Sequence, residues 1–290
     1  MDTQRLANLI IVVSGILWGI YWIPVRALEG LGLTGAWGTL AVVAAAVLVL
    51  APVALRVPRR APLGLAHASF ALGGLAFVLY SVGLVQGRVA VIVLLFFLTP
   101  VWSTLIARLV LGRRTSAHRL AAVGVGIAGL ALMLGDGGWP VPRAAGEWMA
   151  LASGVLWAVA TTGISETPEI DPRHGALTFA SGALVAALIA APLLSPFPTD
   201  PVPLLPATLW ALGTGALFWG LAMTALTWAV RRVEPARVGI LLQSEVLVGA
   251  ASAALFAGET LSFLEIVGGT LVVSAGLLET VPLPRRRARS

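Results

Sequence analysis

The sequence contains no cysteine and no lysine, and only 11% of its 290 residues are charged. Without cysteine there is no disulfide, thiolate nucleophile or sulfur-ligated metal. Without lysine there is no phosphate-loop lysine and no Schiff base. His67, His118 and His174 are too scattered to suggest a metal cluster, and no cofactor is expected. A soluble domain carries roughly 25% charged residues. The shortage here, beside 58% apolar residues and a mean hydropathy of +0.95, excludes an ordinary soluble domain.

All 19 basic residues are arginine, and the net charge is +6. Such a balance could suit nucleic acid, but the arginines gather at the ends of apolar runs, so membrane topology explains them and no nucleic-acid partner is expected.

Apolar runs at Leu6–Pro24, Ala36–Leu55, Leu65–Val85, Val89–Leu111 and Ala117–Gly135 predict five membrane helices. Runs at Trp148–Ser165, Ala176–Leu194, Leu209–Val230, Ala236–Ala257 and Phe263–Leu278 predict five more. About 20 helical residues cross a hydrocarbon layer about 30 Å thick, so the chain has room for about ten crossings and little else. The first run lacks a small-x-small cleavage site and continues through Trp18, Tyr21 and Trp22, so it reads as a retained helix.

With both termini on the cytoplasmic side, fifteen arginines fall inside and only Arg26, Arg88 and Arg143 outside, while Arg108 ends helix 4 near the inner face. The positive-inside rule fixes that orientation. His67 and Asp136, near helix ends, are expected at the interface.

Ser14-Gly15-Ile16-Leu17-Trp18-Gly19-Ile20 reappears as Ser153-Gly154-Val155-Leu156-Trp157-Ala158-Val159, a shift of 139 residues. Ala71-Leu72-Gly73 matches Ala211-Leu212-Gly213 at a shift of 140, and Gly112 matches Gly258 at 146. These collinear matches divide the chain into repeats at 1–143 and 144–290 that form one structural unit. Five helices is an odd number, so the second repeat is inverted. The expected fold is an all-α integral membrane protein of ten transmembrane helices, built as two inverted five-helix repeats around a central cavity.

Pro100, in the middle of helix 4, lacks an N–H and leaves the Phe96 carbonyl without its helical donor. The shift of 146 takes the adjacent Thr99 to Glu245, in the middle of helix 9. A charged residue at that depth costs about 2.5–3.5 kcal/mol on insertion scales, so Glu245 should face a cavity or a partner. Pro100 is the candidate hinge. Thr99, Gln243, Ser244 and Glu245 are candidate polar site residues, and Trp18, Trp22, Trp102, Trp157 and Trp219 a candidate aromatic wall, with Tyr80 and Thr161 adding hydroxyls. Trp37, Trp139, Trp148 and Trp210, near helix ends, read as interfacial anchors. Gly124, Ala128 and Gly129, with Gly268, Gly269 and Ser274, read as helix-packing surfaces.

The SGxLWG-like start of helix 1 and its copy in helix 6, Thr99-Pro100-Val101-Trp102, and the Gly258-Glu259-Thr260 turn resemble EamA-type members of the drug/metabolite transporter superfamily, most of all the YddG-type aromatic amino-acid exporters. Where many such proteins repeat the proline in the second half, this chain has Val246 after Gln243-Ser244-Glu245. The resemblance implies a secondary transporter of the inner membrane that exports aromatic and other neutral amino acids by alternating access. Its partners would be the substrate, the bilayer and protons. Alternatives are carriage of another metabolite class, such as drugs or nucleotide sugars, an intramembrane enzyme, and a lipid-scrambling protein. The enzyme is poorly supported, because His67 has no evident serine partner and Asp136 stands alone.

Overall fold

A computed structural model describes residues 2–58, 63–135, 139–167, 170–233 and 235–280. Arg59, Arg60, Asp136 and the arginines from Arg285 to Arg289 lie outside them. The described residues form helices joined by short turns. The first half comprises α1 (Thr3–Gly19), α2 (Trp22–Gly30), α3 (Trp37–Ala54), α4 (Leu65–Gln86), α5 (Val89–Phe96), α6 (Thr99–Leu109) and α7 (Ala117–Leu134). The second comprises α8 (Ala145–Ser165), α9 (Pro172–Leu194), α10 (Leu204–Thr214), a π-helical segment (Gly215–Ala222), α11 (Met223–Val230), α12 (Pro235–Phe256) and α13 (Phe263–Thr280).

Among the described residues nine spans are long and apolar enough to cross a membrane, and α13 adds a shorter apolar stretch over Phe263–Leu278. Three spans are composite. The first consists of α1 and α2, broken at Ile20 and Tyr21. The fourth consists of α5 and α6, and the eighth contains the π segment. Polar caps set several starts, each meeting an N–H that the helix leaves free. Asp171 accepts from the Arg173 N–H at 2.9 Å beside Pro172. Ser262 and Glu265 form a reciprocal capping box at 2.8 and 3.2 Å.

The halves exchange their contacts as a two-fold repeat requires. The second, fourth and fifth spans pack on the seventh, ninth and tenth: α3 on α9, α5 on α12, α7 on α13. The packing of α1 on α12 is matched by α8 on α5 and α6. The packing of α4 on α8 and α9 is matched by the eighth span on α1 and α3. Small residues allow these approaches. A Cβ on Gly129 would stand 2.6 Å from the Gly268 carbonyl, and one on Gly269 2.8 Å from Leu94. Gly124 meets nothing within 4 Å, so it lies off the interface its neighbours form.

Enclosed by α8 and α9, α4 also buries His67, which the sequence placed at the interface. Trp139, Trp148 and Trp210 are exposed, as interfacial anchors would be. Arg231 donates to the Ile170 carbonyl at 3.0 Å, and Arg113 to Glu166 at 2.7 Å, at the arginine-rich face. At the opposite face Arg26 donates to the carbonyls of Leu84 (3.0 Å) and Gly87 (2.8 Å), and Arg88 holds both oxygens of Glu265 at 2.7 and 2.8 Å. Hydrogen bonding to Glu265 pushes the Arg88 pKa above the ordinary arginine value against partial desolvation, so the guanidinium stays charged at every physiological pH.

Candidate functional site

The fourth span breaks where Pro100 withholds its N–H. The Thr99 hydroxyl donates to the freed Phe96 carbonyl at 2.7 Å, closing α5 and turning the chain into α6. Facing this break, α12 carries Glu245 at mid-membrane. Gly15 and Gly19 of α1 bring the two backbones together there. Gly15 lies against Ser244, and a Cβ on Gly19 would stand 2.8 Å from the Glu245 carbonyl oxygen. In the other half Gly154 plays the part of Gly15, 3.2 Å from the Phe96 carbonyl by the same measure. The recurring Ser-Gly motif therefore sets one helix closely against each of the two polar midplane stretches.

Between them lies a cavity of about 220 Å³. Its aromatic wall comprises Trp18, Phe77, Phe96, Phe97 and Trp157, and its polar groups come from Thr99, Gln243 and Glu245. Rings continue around it. Trp18 meets Phe77 edge-on at 4.9 Å, and Trp157 meets Phe179 at 5.8 Å. Glu245 is buried, and the side chain that interacts with its carboxyl is Tyr80. The Tyr80 hydroxyl is directed to that carboxyl, and the Gln243 carbonyl oxygen has no hydrogen-bond partner. Buried polar atoms without partners are uncommon, and one that lines a cavity suits a polar ligand. Besides Pro100, the remaining lining residues, Met223, Leu226, Gly239, Leu242 and Gly276, all lie toward the arginine-rich ends of their spans. The cavity thus runs from the midplane toward that face. In the opposite direction the core is filled, for example by Tyr21, Ser81 and Thr39.

Of the residues singled out by sequence, Trp18, Thr99, Pro100, Trp157, Gln243 and Glu245 line the cavity. Tyr80 stands behind Phe96 at 4.6 Å, and Trp219 behind Phe77 at 4.8 Å. Four others do not line it. Ser244 is turned away because, at about 100° per residue, Gly239, Leu242, Gln243 and Glu245 share one broad face and Ser244 falls opposite. Its hydroxyl bonds the Leu241 carbonyl at 2.8 Å. Trp22 leaves the face of Trp18 because the chain breaks at Ile20 and Tyr21, and its ring N–H donates to Ser252 at 2.9 Å. Trp102 packs against Gly154, and Thr161 bonds back to the Trp157 carbonyl at 2.8 Å.

The sequence reading missed Phe77, Phe97, Met223, Leu226 and Leu242, which no feature distinguishes from core residues. Phe96 was noted only for its carbonyl. Among the described residues no group of three or more His, Asp or Glu could hold a metal ion. His174 is occupied by the Ala54 carbonyl at 3.0 Å. The arrangement offers binding groups rather than a paired nucleophile and base.

Residues 5–135 and 144–279 each match the EamA-like transporter family. Over 144 residues the chain is 31% identical to the threonine/homoserine exporter RhtA of Salmonella typhimurium strain SL1344, and equally to that of strain LT2. The alignment covers 48% of this chain and 46% of each relative, so the chain spans about half the length of the curated relatives it matches. A solved crystal structure shares the fold with a TM-score of 0.58 at 19% identity, over 94% of this chain and 95% of its own. With one match in each half, together spanning most of its length, this multi-pass membrane protein belongs to the EamA-like transporter family.

Proposed function

We propose that the chain is a secondary exporter of amino acids or closely related metabolites, working by alternating access, with the midplane cavity as its substrate site. The observation that carries this reading is the cavity itself: both halves contribute to it, and each brings a polar midplane stretch, Thr99-Pro100 from one and Gln243 with Glu245 from the other. A volume of about 220 Å³ is below the range of about 300–1,000 Å³ usual for drug-sized ligands. That favours a small metabolite over a drug. Glu245 would receive the substrate amine or carry a coupling proton. The aromatic wall would take the side chain by stacking and by attraction of a cation to ring faces.

The relatives' printed activity, export of threonine and homoserine, supports an amino acid as substrate. The aromatic lining supports aromatic amino acids as well, as in YddG-type exporters. The arginine-rich face would be cytoplasmic in the inner membrane, so the cavity faces the side from which an exporter loads. Proteoliposomes loaded with threonine, homoserine, phenylalanine or tryptophan, with and without a pH gradient, test this reading. Counterflow of at least one of the four is expected. Counterflow of none, with folded protein present, would end it.

A further inference from the structure

The fourth and ninth spans end in the same turn with opposite charge. Gly112 and Gly258 are repeat mates, and both adopt left-handed φ, 63° and 64°. The following N–H groups reach back six residues, Arg113 to the Ala107 carbonyl at 2.9 Å and Glu259 to the Ala253 carbonyl at 3.2 Å. Their ionic partners are also repeat mates. Glu259 meets Arg26 at 3.3 Å at the arginine-poor face, and Arg113 meets Glu166 at 2.7 Å at the arginine-rich face. Arg26 and Glu166, each at the end of the first span of its half, are 140 residues apart. One contact is thus built twice, at opposite faces, with its polarity reversed.

The two copies are unequal. The Glu259 carboxylate also accepts from the Val89 N–H at 2.8 Å and the Ala90 N–H at 3.1 Å, capping α5 across the boundary between the halves. A carboxylate suits a helix N-terminus, where N–H groups lack partners and the dipole is positive. The Glu259 side chain is 9% exposed, whereas those of Arg113 and Glu166 are 57% and 39% exposed. The shift of 146 that relates Arg113 to Glu259 takes Val89 and Ala90 to Pro235 and Ala236. There proline has no N–H to give, and an arginine in the place of the carboxylate would oppose the dipole. Among the described residues the closure made by Glu259 has no equal at the arginine-rich face.

We propose that Glu259 is a positioning residue of the transport cycle: by capping α5 and holding Arg26 it closes the arginine-poor entrance, and because its mate Arg113 makes no such cap among the described residues, this is the resting conformation. The inference rests on the alternating-access reading, and it agrees with a cavity that runs only toward the arginine-rich face.

The cysteine-free chain allows a direct test with two single-cysteine reporters labelled by a maleimide in detergent. One is Leu242→Cys in the cavity, and the other is Ser81→Cys in the filled core on the arginine-poor side. The Leu242→Cys reporter is expected to react at least about tenfold faster in the otherwise unaltered protein. Adding Glu259→Ala or Glu259→Gln should raise the Ser81→Cys rate about fivefold or more and slow Leu242→Cys, while Arg113→Gln leaves both within about twofold. The double change Arg26→Glu with Glu259→Arg keeps an ion pair but loses the cap, and should behave like Glu259→Ala. Should Glu259→Ala fold poorly, Glu259→Gln, which keeps the shape and one acceptor oxygen, carries the test. Unchanged rates in the folded Glu259 variants, or normal rates in the double variant, would overturn the proposal. Equal labelling of the two reporters without any change at Glu259 would instead overturn alternating access itself.

Discussion

Gly19 and Glu245 meet backbone to backbone: a Cβ on the glycine would stand 2.8 Å from the glutamate carbonyl oxygen and 3.0 Å from the Gly249 nitrogen. Nothing flexible can yield there. Gly19→Val is therefore expected to force α1 from α12 and to lower stability by about 1–3 kcal/mol, the usual cost of overpacking. Gly124→Val, in open space, should cost little. Thermal unfolding in detergent compares the two, and equal Tm values would show that the close approach is not needed.

The hydroxyl of Thr99 replaces the hydrogen bond that Pro100 cannot give. Thr99→Val keeps the shape but strands the Phe96 carbonyl, at a cost of about 1–3 kcal/mol. Thr99→Ser keeps the donor and should stay close to the parent protein. If the valine variant unfolds at the same temperature as the serine variant, the hydroxyl is not what closes α5.

Trp18 and Trp22 serve different ends although only four positions separate them. Trp18→Ala and Trp157→Ala remove cavity wall and should weaken threonine or tryptophan transport by about 3- to 10-fold in KM, the scale of one aromatic contact. Trp22→Phe loses the N–H that Ser252 accepts at 2.9 Å and should lower stability by about 1 kcal/mol with KM unchanged. Transport kinetics and unfolding measured on the same preparations separate the two effects, and a Trp22→Phe that raised KM as much as Trp18→Ala would contradict the assignment.

The excess of arginine at one face leads to a topological expectation. A cysteine at Thr199, in the connection between α9 and α10, should be labelled by an impermeant maleimide from outside intact cells. Labelling only after the inner face is opened would reverse the orientation.

Much of this architecture was legible in the sequence because hydropathy and proline act locally. The run ending at Leu194 reads directly as a span, and Pro100 marks the break that separates α5 from α6. The Ser-Gly motif showed the repeat because close approach to Ser244 on one side and to the Phe96 carbonyl on the other requires glycine at both copies. The break at Ile20 and Tyr21 and the π segment around Trp219 were not legible. The π segment lies in an apolar stretch where no proline marks a change of register, whereas Pro24, which withholds an N–H from the Ile20 carbonyl four residues back, stood at the end of the predicted run and was not read as a break. That loss of register is why Trp22 left the face of Trp18. Along α12, spacing alone could not set the phase, so Ser244 could not be told from Gln243 and Glu245. Phe77 and Leu242 carry no chemical mark, and only packing brings them to the cavity.

A substrate site at the midplane cavity stands or falls most directly on Glu245→Gln, which keeps the side chain's shape and removes its charge. The measurement is counterflow of threonine and tryptophan in proteoliposomes, with and without a pH gradient, beside the unaltered protein. A hydrogen bond to a charged group contributes about 1.5–3 kcal/mol, so loss of an amine contact should raise KM about 10- to 100-fold. Should Glu245 carry protons instead, exchange should persist while its acceleration by a pH gradient disappears. A folded Glu245→Gln protein that matches the parent in KM, exchange rate and response to the gradient would contradict the placement of the site.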